Sequence, residues 1–320
     1  MHWPRSLARR QDAGNAAQHA CGPQPMGRNG GRASAAFLLL NDDTASPASR
    51  RLASAHPALA PGFMHGDDYM RIRFLGTNGF YSTTTGNTVC TAIVAKDNVI
   101  VLDAGDGFAK VPALTGMGKG NRIDVFLSHL HLDHSAGLHA LPKFGKGTEI
   151  RIFAASGYIK DLVYLLNHPF TADSRQIAAQ VKVLSVEEGI NELPYRVVAL
   201  PLVHADPCLG FSFEIEGKTI AYCTDTGECE NIVRLGKGAD LLITECSILP
   251  GQRPLPHWPH LSPESAAGLA REARAKRLIL THFDADLYTS MIERTKAERK
   301  ARTIFRNTVA AKDGFSILVS

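Results

Sequence analysis

The feature that most constrains the fold is a crowded metal-binding pattern directly after an apolar run. Residues 126–137 read FLSHLHLDHSAG, which places three histidines and one aspartate within six positions. The chain has only 13 histidines in 320 residues, so composition does not explain the cluster. A strand that ends in such a loop is typical of a rigid scaffold that holds functional side chains at its strand ends. The four residues are His129, His131, Asp133 and His134.

Three further strands, predicted from their β-branched and apolar residues, also run into a side chain that can bind a metal. These side chains are His204, Asp225 and His282. If the four strand ends share one edge of the fold, more ligands converge than a single ion can use. Nitrogen and carboxylate ligands without thiolate suit zinc, with manganese or iron as alternatives. We therefore expect two divalent metal ions, with Asp225 bridging them and a bridging hydroxide as the nucleophile.

Beyond the first 69 residues, the sequence predicts a mixed α/β fold. Strands dominate the first half, and strands alternate with helices in the second half. Helices are predicted at 135–142 and over roughly 287–302. Another helix is predicted to begin after a serine N-cap, with Pro263 at its first helical position. This order of elements predicts two β layers with helices packed outside them, in one domain that covers residues 70–320.

Residues 1–69 have a different composition. They are rich in Ala, Arg, Gly, Pro and Ser, which is typical of a disordered extension. A start assigned too far upstream, with Met64 or Met70 as the true start, is an alternative. A transit peptide is another, because the segment is rich in arginine and poor in acids.

Composition limits the class of protein without naming a function. The 44% hydrophobic and 21% charged content is ordinary for a globular enzyme. The net charge of +4 is mild and does not predict a nucleic-acid surface. The six cysteines contain no CxxC pair, which favours a reducing compartment and a cytoplasmic location. No apolar run reaches the roughly 20 residues that cross a bilayer, so no membrane association is expected.

Together these motifs resemble the metallo-β-lactamase superfamily, in particular the branch of ribonuclease Z, the tRNA 3′-end endonuclease, and related phosphodiesterases. The resemblance covers about residues 70–320. It rests on RIRFLGTNG, VLDAGDG, SHLHLDHSAGL, PLVHADPCLGFSFE, IAYCTDTGE and HLSPESAAGLAREARAKRLILTHF. It implies an αββα sandwich, a four-layer α/β fold, with a two-metal site on one edge.

The resemblance divides the seven candidate ligands between two metals. The first metal would be held by His129, His131 and His204. The second would be held by Asp133, His134 and His282. Asp225 would bridge the two. We expect Asp133 also to orient or deprotonate the attacking water.

Three further residues have supporting roles in this interpretation. Asp103 matches a family aspartate that supports the metal-binding histidines, and such partners fix imidazole orientation and tautomer. His260 matches a histidine that lies near the scissile phosphate and protonates the leaving group. The alternative for His260 is a polar residue at a helix entry. Glu245 would orient His260, the alternative being a solvent-facing acid at a strand end.

Two other branches of the superfamily fit less well. The diiron flavoprotein branch has Glu where this chain has His131, and the true β-lactamases have a Cys ligand where Asp225 stands. Cys223 lies two residues before Asp225, and strand alternation predicts that both side chains point the same way. The DTG sequence at Asp225 nevertheless favours the phosphodiesterase branch.

The substrate is less constrained than the site. The tRNA nucleases of this branch grip tRNA with a long arm inserted before the bridging aspartate. Here only 20 residues separate His204 from Asp225, and they predict two strands and a hairpin. A small-molecule or nucleotide phosphodiester is therefore favoured over tRNA. A basic cluster within 294–302 could contact RNA, but a solvated helix face is the favoured interpretation.

Several alternatives remain open at this point. The chain could be a thioester or lactone hydrolase of the same fold, similar to glyoxalase II or the lactonases. It could be a tRNA 3′-end endonuclease, or a metal-binding scaffold without catalysis. His260 and the helix after it favour the phosphodiesterase, and the complete set of ligands argues against the scaffold. Homodimers are common in this branch, so a homodimer is an option that the resemblance alone supports.

Overall fold

A computed structural model describes residues 70–96, 98–114, 122–172, 176–254 and 257–320. Within these ranges the chain forms two seven-stranded sheets and one two-stranded sheet. The extension predicted over residues 1–69 lies outside the described residues and stays a prediction.

The first large sheet is built from strands in the first half of the chain and the last strand. These are β1 (Met70–Gly76), β3 (Cys90–Val94), β4 (Val99–Leu102), β5 (Arg122–Phe126), β6 (Glu149–Ala155), β7 (Gln180–Val186) and β16 (Ser316–Val319). Their order is β16-β1-β3-β4-β5-β6-β7. β3 and β4 pair antiparallel. Strands β4 to β7 are parallel, so their carboxyl ends share one edge.

The second large sheet is built from strands in the second half of the chain. Its strands are β8 (Gly189–Glu192), β9 (Arg196–Pro201), β10 (Leu209–Ile215), β11 (Lys218–Cys223), β12 (Leu241–Glu245), β13 (Leu278–Thr281) and β15 (Thr308–Ala310). Their order is β15-β13-β12-β11-β10-β9-β8. β10 and β11 form the predicted hairpin, and Gly217 in its turn has a φ of 74°. β11, β12, β13 and β15 are parallel. The short strands β8 and β15 were not predicted, since neither has a long β-branched run.

The two-stranded sheet joins β2 (Asn78–Gly79) to β14 (Phe283–Asp284) in parallel. The α-helices are α1 (Leu132–Ser135), α2 (Ile159–Leu165), α3 (Glu230–Leu235), α4 (Pro263–Glu272) and α5 (Met291–Arg302). Short 3₁₀ helices cover Asp106–Leu114, Ala136–Lys143 and Ser156–Tyr158.

The predicted helix ends are partly right. The α4 helix begins as expected, because the Ser262 hydroxyl accepts a hydrogen bond from Ser265 N at 3.1 Å. The helix predicted over 135–142 is wrong in type: a single α turn is followed by a 3₁₀ helix. The cause is a contact with a distant loop, since Gly137 N donates to Ala104 O at 2.8 Å instead of to a carbonyl of its own helix.

Three apolar clusters separate four layers. The central cluster lies between the two large sheets, where Phe126 stacks on Phe153 and meets Phe211 and Phe213 edge-on. A second cluster packs the first sheet against α2 and the 3₁₀ helices. A third packs the second sheet against α3, α4 and α5. Full burial of each large apolar side chain contributes about 1.5–3 kcal/mol. The predicted αββα sandwich is confirmed.

Candidate metal centre

The seven ligands predicted from the sequence meet at one edge of the sandwich, in two groups. In each group, one nitrogen or carboxylate oxygen from every residue lies within 4.8 Å of the others. The first group comprises His129, His131, His204 and Asp225. The second comprises Asp133, His134, Asp225 and His282. This is the division expected from the sequence, with Asp225 common to both groups.

The strand ends explain this convergence. The carboxyl ends of the parallel strands β4 and β5 and of β11 and β13 lie at the same edge of their sheets. Directly after three of these strands, the chain turns through a left-handed conformation at Asp103 (φ 57°), Asp225 (φ 50°) and His282 (φ 48°). A non-glycine residue in this region is strained by about 1–3 kcal/mol. Such strain clusters at functional sites, where the surrounding structure holds it in place.

Asp225 lies at the centre of the arrangement. Its Oδ2 is 3.0 Å from His134 Nε2 and 3.3 Å from His129 Nε2. Its Oδ1 is 3.1 Å from His282 Nε2. One carboxylate therefore contacts imidazoles of both groups through its two oxygens. Asp225 is thus the one residue shared by the two groups.

Asp133 and two imidazoles complete the second group. Asp133 Oδ2 lies 3.3 Å from His282 Nε2 and accepts a hydrogen bond from Phe80 N at 2.7 Å. The Nε2 atoms of His134 and His282 lie 3.1 Å apart. A cation between these converging nitrogens would relieve the repulsion between their lone pairs.

Asp103 fixes the orientation of two histidines from behind. The carboxylate is completely buried and accepts hydrogen bonds from Tyr222 Oη at 2.8 Å and from Ser128 N at 2.8 Å. His134 Nδ1 donates to Asp103 Oδ2 at 2.8 Å. The Ser128 hydroxyl contacts Asp103 Oδ1 at 3.0 Å and His129 Nδ1 at 3.0 Å. With each Nδ1 held in this way, His129 and His134 both present Nε2 to the centre.

The residues fit a divalent metal. His129 Nε2 and Asp225 Oδ1 are buried and have no hydrogen-bond partner among the residues that the structure describes. Leaving such an atom unsatisfied costs about 1–3 kcal/mol, more for a charged group. Both atoms belong to the ligand groups, so a cation would satisfy both. The donors are imidazole and carboxylate without thiolate, a set that zinc, manganese and iron accept.

Two of the ligands have the protonation state that a metal requires, whereas at His134 and His282 burial is outweighed by nearby carboxylates, which raise the pKa of each imidazole, and a bound cation would displace those protons. Burial, helped by the charge of His134, lowers the pKa of His129 to about 4, so its imidazole is neutral. Burial alone would raise the pKa of Asp225, but His282 and His134 outweigh it and hold that pKa well below its usual range. Metals bind neutral imidazole and ionised carboxylate.

His260 and Glu245 form a pair beside the shared carboxylate. His260 Nδ1 donates to Glu245 Oε1 at 2.8 Å and lies 3.9 Å from Asp225 Oδ1. Glu245 is completely buried, so the alternative of a solvent-facing acid is wrong. Its oxygens also accept from Thr226 N at 2.6 Å and Leu261 N at 3.2 Å. Glu245 is thus hydrogen-bonded to the His260 ring from inside the fold.

The charge on His260 follows from the same contacts. Burial lowers the pKa of this imidazole, but the carboxylates of Glu245 and Asp225 outweigh burial and raise it to about 9. Since Nδ1 is bonded to Glu245, the proton available for transfer is on Nε2.

Sequence reasoning missed one acidic contact and was wrong about one cysteine. His131 Nε2 lies 2.8 Å from Asp206 Oδ2, and the signal was present, since Asp206 follows His204 by two residues in VHADP. Cys223 packs in the cluster under α3 and α4 and belongs to neither ligand group. Strand β11 ends at Cys223 and Asp225 is left-handed, so the strand alternation does not reach Asp225.

Comparison with known proteins places this site in a family context. A family model described as a β-lactamase superfamily domain matches residues 98–283, more than half of the chain. A ribonuclease Z from Methanosarcina acetivorans is 25% identical over 303 residues, which covers 76% of this chain and 96% of that relative.

Two solved structures share the fold. The metallo-β-lactamase fold protein YhfI from Bacillus subtilis superposes with a TM-score of 0.65 at 20% identity, covering 78% of this chain and 99% of that chain. Human tRNase Z, short form, superposes with a TM-score of 0.60 at 23% identity, covering 78% and 100%.

Proposed function

The chain belongs to the metallo-β-lactamase superfamily, and from this premise we propose that it is a two-metal phosphodiesterase of the ribonuclease Z-like branch. The observation that carries the proposal is the buried His260–Glu245 pair beside Asp225, the carboxylate common to both ligand groups. Cleavage of a phosphodiester expels an alkoxide, which is a poor leaving group unless it is protonated. A thioester expels a thiolate, which has much less need of an acid. The pair therefore favours a phosphodiester over the thioester alternative.

The seven ligands would hold two divalent ions, and we propose zinc because the donors are imidazole and carboxylate without thiolate. When bound, such ions supply Lewis acidity and lower the pKa of water enough to give a nucleophile at neutral pH.

The chain's own residues have separate tasks in this mechanism. Asp225 holds the two groups together through its two oxygens. Asp133, fixed by Phe80 N, orients or deprotonates the attacking water. His260, fixed by Glu245 through Nδ1, donates the Nε2 proton to the leaving oxygen. Asp103 keeps His129 and His134 in the tautomer that presents Nε2, through Ser128 in the case of His129.

The surface around the site suits a small substrate. The segment between His204 and Asp225 is the β10–β11 hairpin, so no arm is inserted there. Several exposed side chains beside the ligands are apolar: Phe80, Leu132, Val203 and Trp258. Within two positions of each ligand and of His260, the sequence has no lysine or arginine. A tRNA needs many phosphate contacts with basic side chains. We therefore propose a phosphodiester with a nucleobase or another apolar substituent.

The tRNA endonuclease alternative has weaker support. It rests on the names of the relatives and on basic residues of α5, where Lys296, Arg299, Lys300 and Arg302 are exposed. The predicted solvated face holds for these four and is wrong for Arg294, which is only 1% exposed.

Among the described residues, every helix is too short or too polar to cross a bilayer. A cytoplasmic location and a homodimer stay predictions.

The proposal is tested by a hydrolysis screen on the metal-loaded full chain. A diaryl phosphodiester, a dinucleotide, a thioester, a lactone and an unprocessed tRNA are compared under identical conditions. We expect kcat/KM to be highest for the two small phosphodiesters. Preferred cleavage of the thioester or the lactone would reject the phosphodiesterase assignment. Preferred cleavage of the tRNA would reject the small substrate and leave the chemistry intact.

Trp258 offers a specific prediction about the substrate. Its ring lies 5.3 Å from the His260 ring and is 45% exposed, so an aromatic substituent of the leaving group can stack on it. Stacking of a base on an aromatic side chain is worth about 1–3 kcal/mol. We expect Trp258→Ala to raise KM for a dinucleotide by about 5- to 100-fold with kcat little changed.

The control for this prediction is Ile190→Ala in the edge strand β8, which removes another exposed apolar side chain. It should leave KM unchanged. An alkyl phosphodiester without an aromatic group should be cleaved equally well by Trp258→Ala and the unmodified chain. A fall in kcat with unchanged KM would contradict a stacking role.

A further inference from the structure

A buried arginine lies on α5, outside both ligand groups. Arg294 is 1% exposed, and among the described residues no carboxylate forms an ion pair with its guanidinium. Burial lowers the pKa of this guanidinium to about 10. A buried cation without a direct counter-ion is strongly unfavourable unless its hydrogen bonds compensate. The contacts of Arg294 therefore show what holds it there.

Those contacts connect the two strands of the small sheet. Arg294 Nη1 donates to Thr77 Oγ1 at 2.7 Å, and Nη2 donates to Asn78 Oδ1. On the other side, the guanidinium lies over the Phe283 ring, with Cζ 4.5 Å from its centroid. Asn78 belongs to β2 and Phe283 to β14, and Phe283 N donates to Thr77 O at 3.0 Å. One side chain thus holds β2 and β14 together.

The small sheet touches the second ligand group directly. His282 immediately precedes β14. A Cβ on Gly79 would lie 2.4 Å from His282 Cε1, so the backbone of β2 packs against the imidazole with no room for a side chain. The next residue, Phe80, donates from N to Asp133 Oδ2 at 2.7 Å. Two of the ligands of the second group are thus positioned by residues 79 and 80.

The first ligand group has a different set of supports. His129 contacts Ser128, His131 contacts Asp206, and His204 Nε2 lies 3.4 Å from His131 Nδ1. None of these described contacts involves β2 or β14. A change in the small sheet should therefore affect one metal site more than the other.

We propose that Arg294 is a positioning residue for the second metal: by fixing β2 against β14 it sets the places of His282 and Asp133. The inference rests on the proposed two-metal site and is independent of the substrate. Lysine cannot replace the arginine, because it lacks the planar fork that bonds Thr77 and Asn78 while stacking on Phe283.

The test measures bound metal and needs no activity. Zinc per chain is determined by mass spectrometry after equilibration of the full chain in a zinc buffer, for the unmodified chain, Arg294→Lys and Arg151→Lys. Arg151 is a matched control, since it is also mostly buried and pairs with Asp124 on the first sheet, in contact with neither ligand group. We expect two zinc ions for the unmodified chain and for Arg151→Lys. For Arg294→Lys we expect the second zinc to bind about 10- to 100-fold more weakly, as for other losses of ligand support.

Double variants identify which zinc is affected. Adding Arg294→Lys to His282→Ala should change zinc content little, because both impair the second group. Adding it to His204→Ala should remove most of the remaining zinc. Two tightly bound zinc ions in Arg294→Lys, or loss of the first zinc instead of the second, would overturn the proposal. Fewer than two zinc ions in the unmodified chain would instead reject the two-metal site itself.

A second variant covers the case in which Arg294→Lys does not fold. Thr77→Val keeps the shape of the side chain and removes the hydroxyl that accepts from Arg294 Nη1. Zinc titration should show weaker binding of the second ion with the first ion unchanged. Unchanged binding of both ions in a folded Thr77→Val variant would count against Arg294 as a positioning residue.

Discussion

Replacement of Asp225 with Ala is expected to reduce bound metal to below one ion per chain and to lower kcat/KM for a phosphodiester by about 1,000-fold or more. The expected loss is large because Asp225 contacts histidines of both groups at 3.0–3.3 Å. Its removal also leaves Asp133 as the remaining carboxylate of the two ligand groups, beside His134 and His282, while the first group keeps only imidazoles. Metal content and initial rates at saturating zinc are the measurements.

Graded controls separate a shared ligand from a merely buried acid. Asp206→Ala removes a carboxylate whose described ligand contact is with His131, so we expect a loss of about 10- to 100-fold in metal affinity. Asp124→Asn changes another buried carboxylate, which bonds Arg151 and Tyr195 in the first sheet. It should lower the melting temperature and leave metal content at two. Two metal ions per chain in Asp225→Ala would show that Asp225 does not bridge them.

The two-sheet fold and the candidate ligands that lie together could be predicted because both follow from local pattern. Apolar and β-branched runs gave the strands, and polar metal-binding side chains directly after those runs marked the strand ends. Parallel strands bring their carboxyl ends to one edge of their sheet, so residues as far apart as Asp225 and His282 could be grouped without a structure. The sequence also carried the clue to Glu245, since a strand-end acid can face inward as well as outward.

What could not be predicted depends on contacts between distant segments. Arg294 lies in a helix with many charged residues, and nothing in that periodicity shows that its guanidinium reaches Thr77 and Asn78. The left-handed turn at Asp225 ended the strand alternation from which Cys223 was expected to face the site. The 3₁₀ helix after His134 arises because Gly137 bonds the loop that follows Asp103. Each of these features is determined by tertiary packing.

Replacement of His260 with Ala is expected to lower turnover in proportion to how poor the leaving group is. For an alkyl phosphodiester, loss of the proton donor should lower kcat by about 100- to 10,000-fold. For a nitrophenyl phosphodiester, whose leaving group needs no proton, the loss should be less than about 10-fold. Metal content should remain at two, because His260 Nδ1 bonds Glu245 and the ring lies outside both four-residue ligand groups.

Two further variants identify the role as proton donation. Glu245→Gln keeps an oxygen that can accept from Thr226 N but removes the charge that raises the pKa of His260. We therefore expect a smaller loss of kcat than in His260→Ala, with the same dependence on the leaving group. His139→Ala alters an exposed histidine that bonds only Ala136 O among its described contacts, and it should behave like the unmodified chain. Equal losses on both substrates in His260→Ala would mean that the imidazole positions the substrate and is not the acid. The dependence on leaving group therefore carries the assignment, because a purely structural defect would lower both rates together.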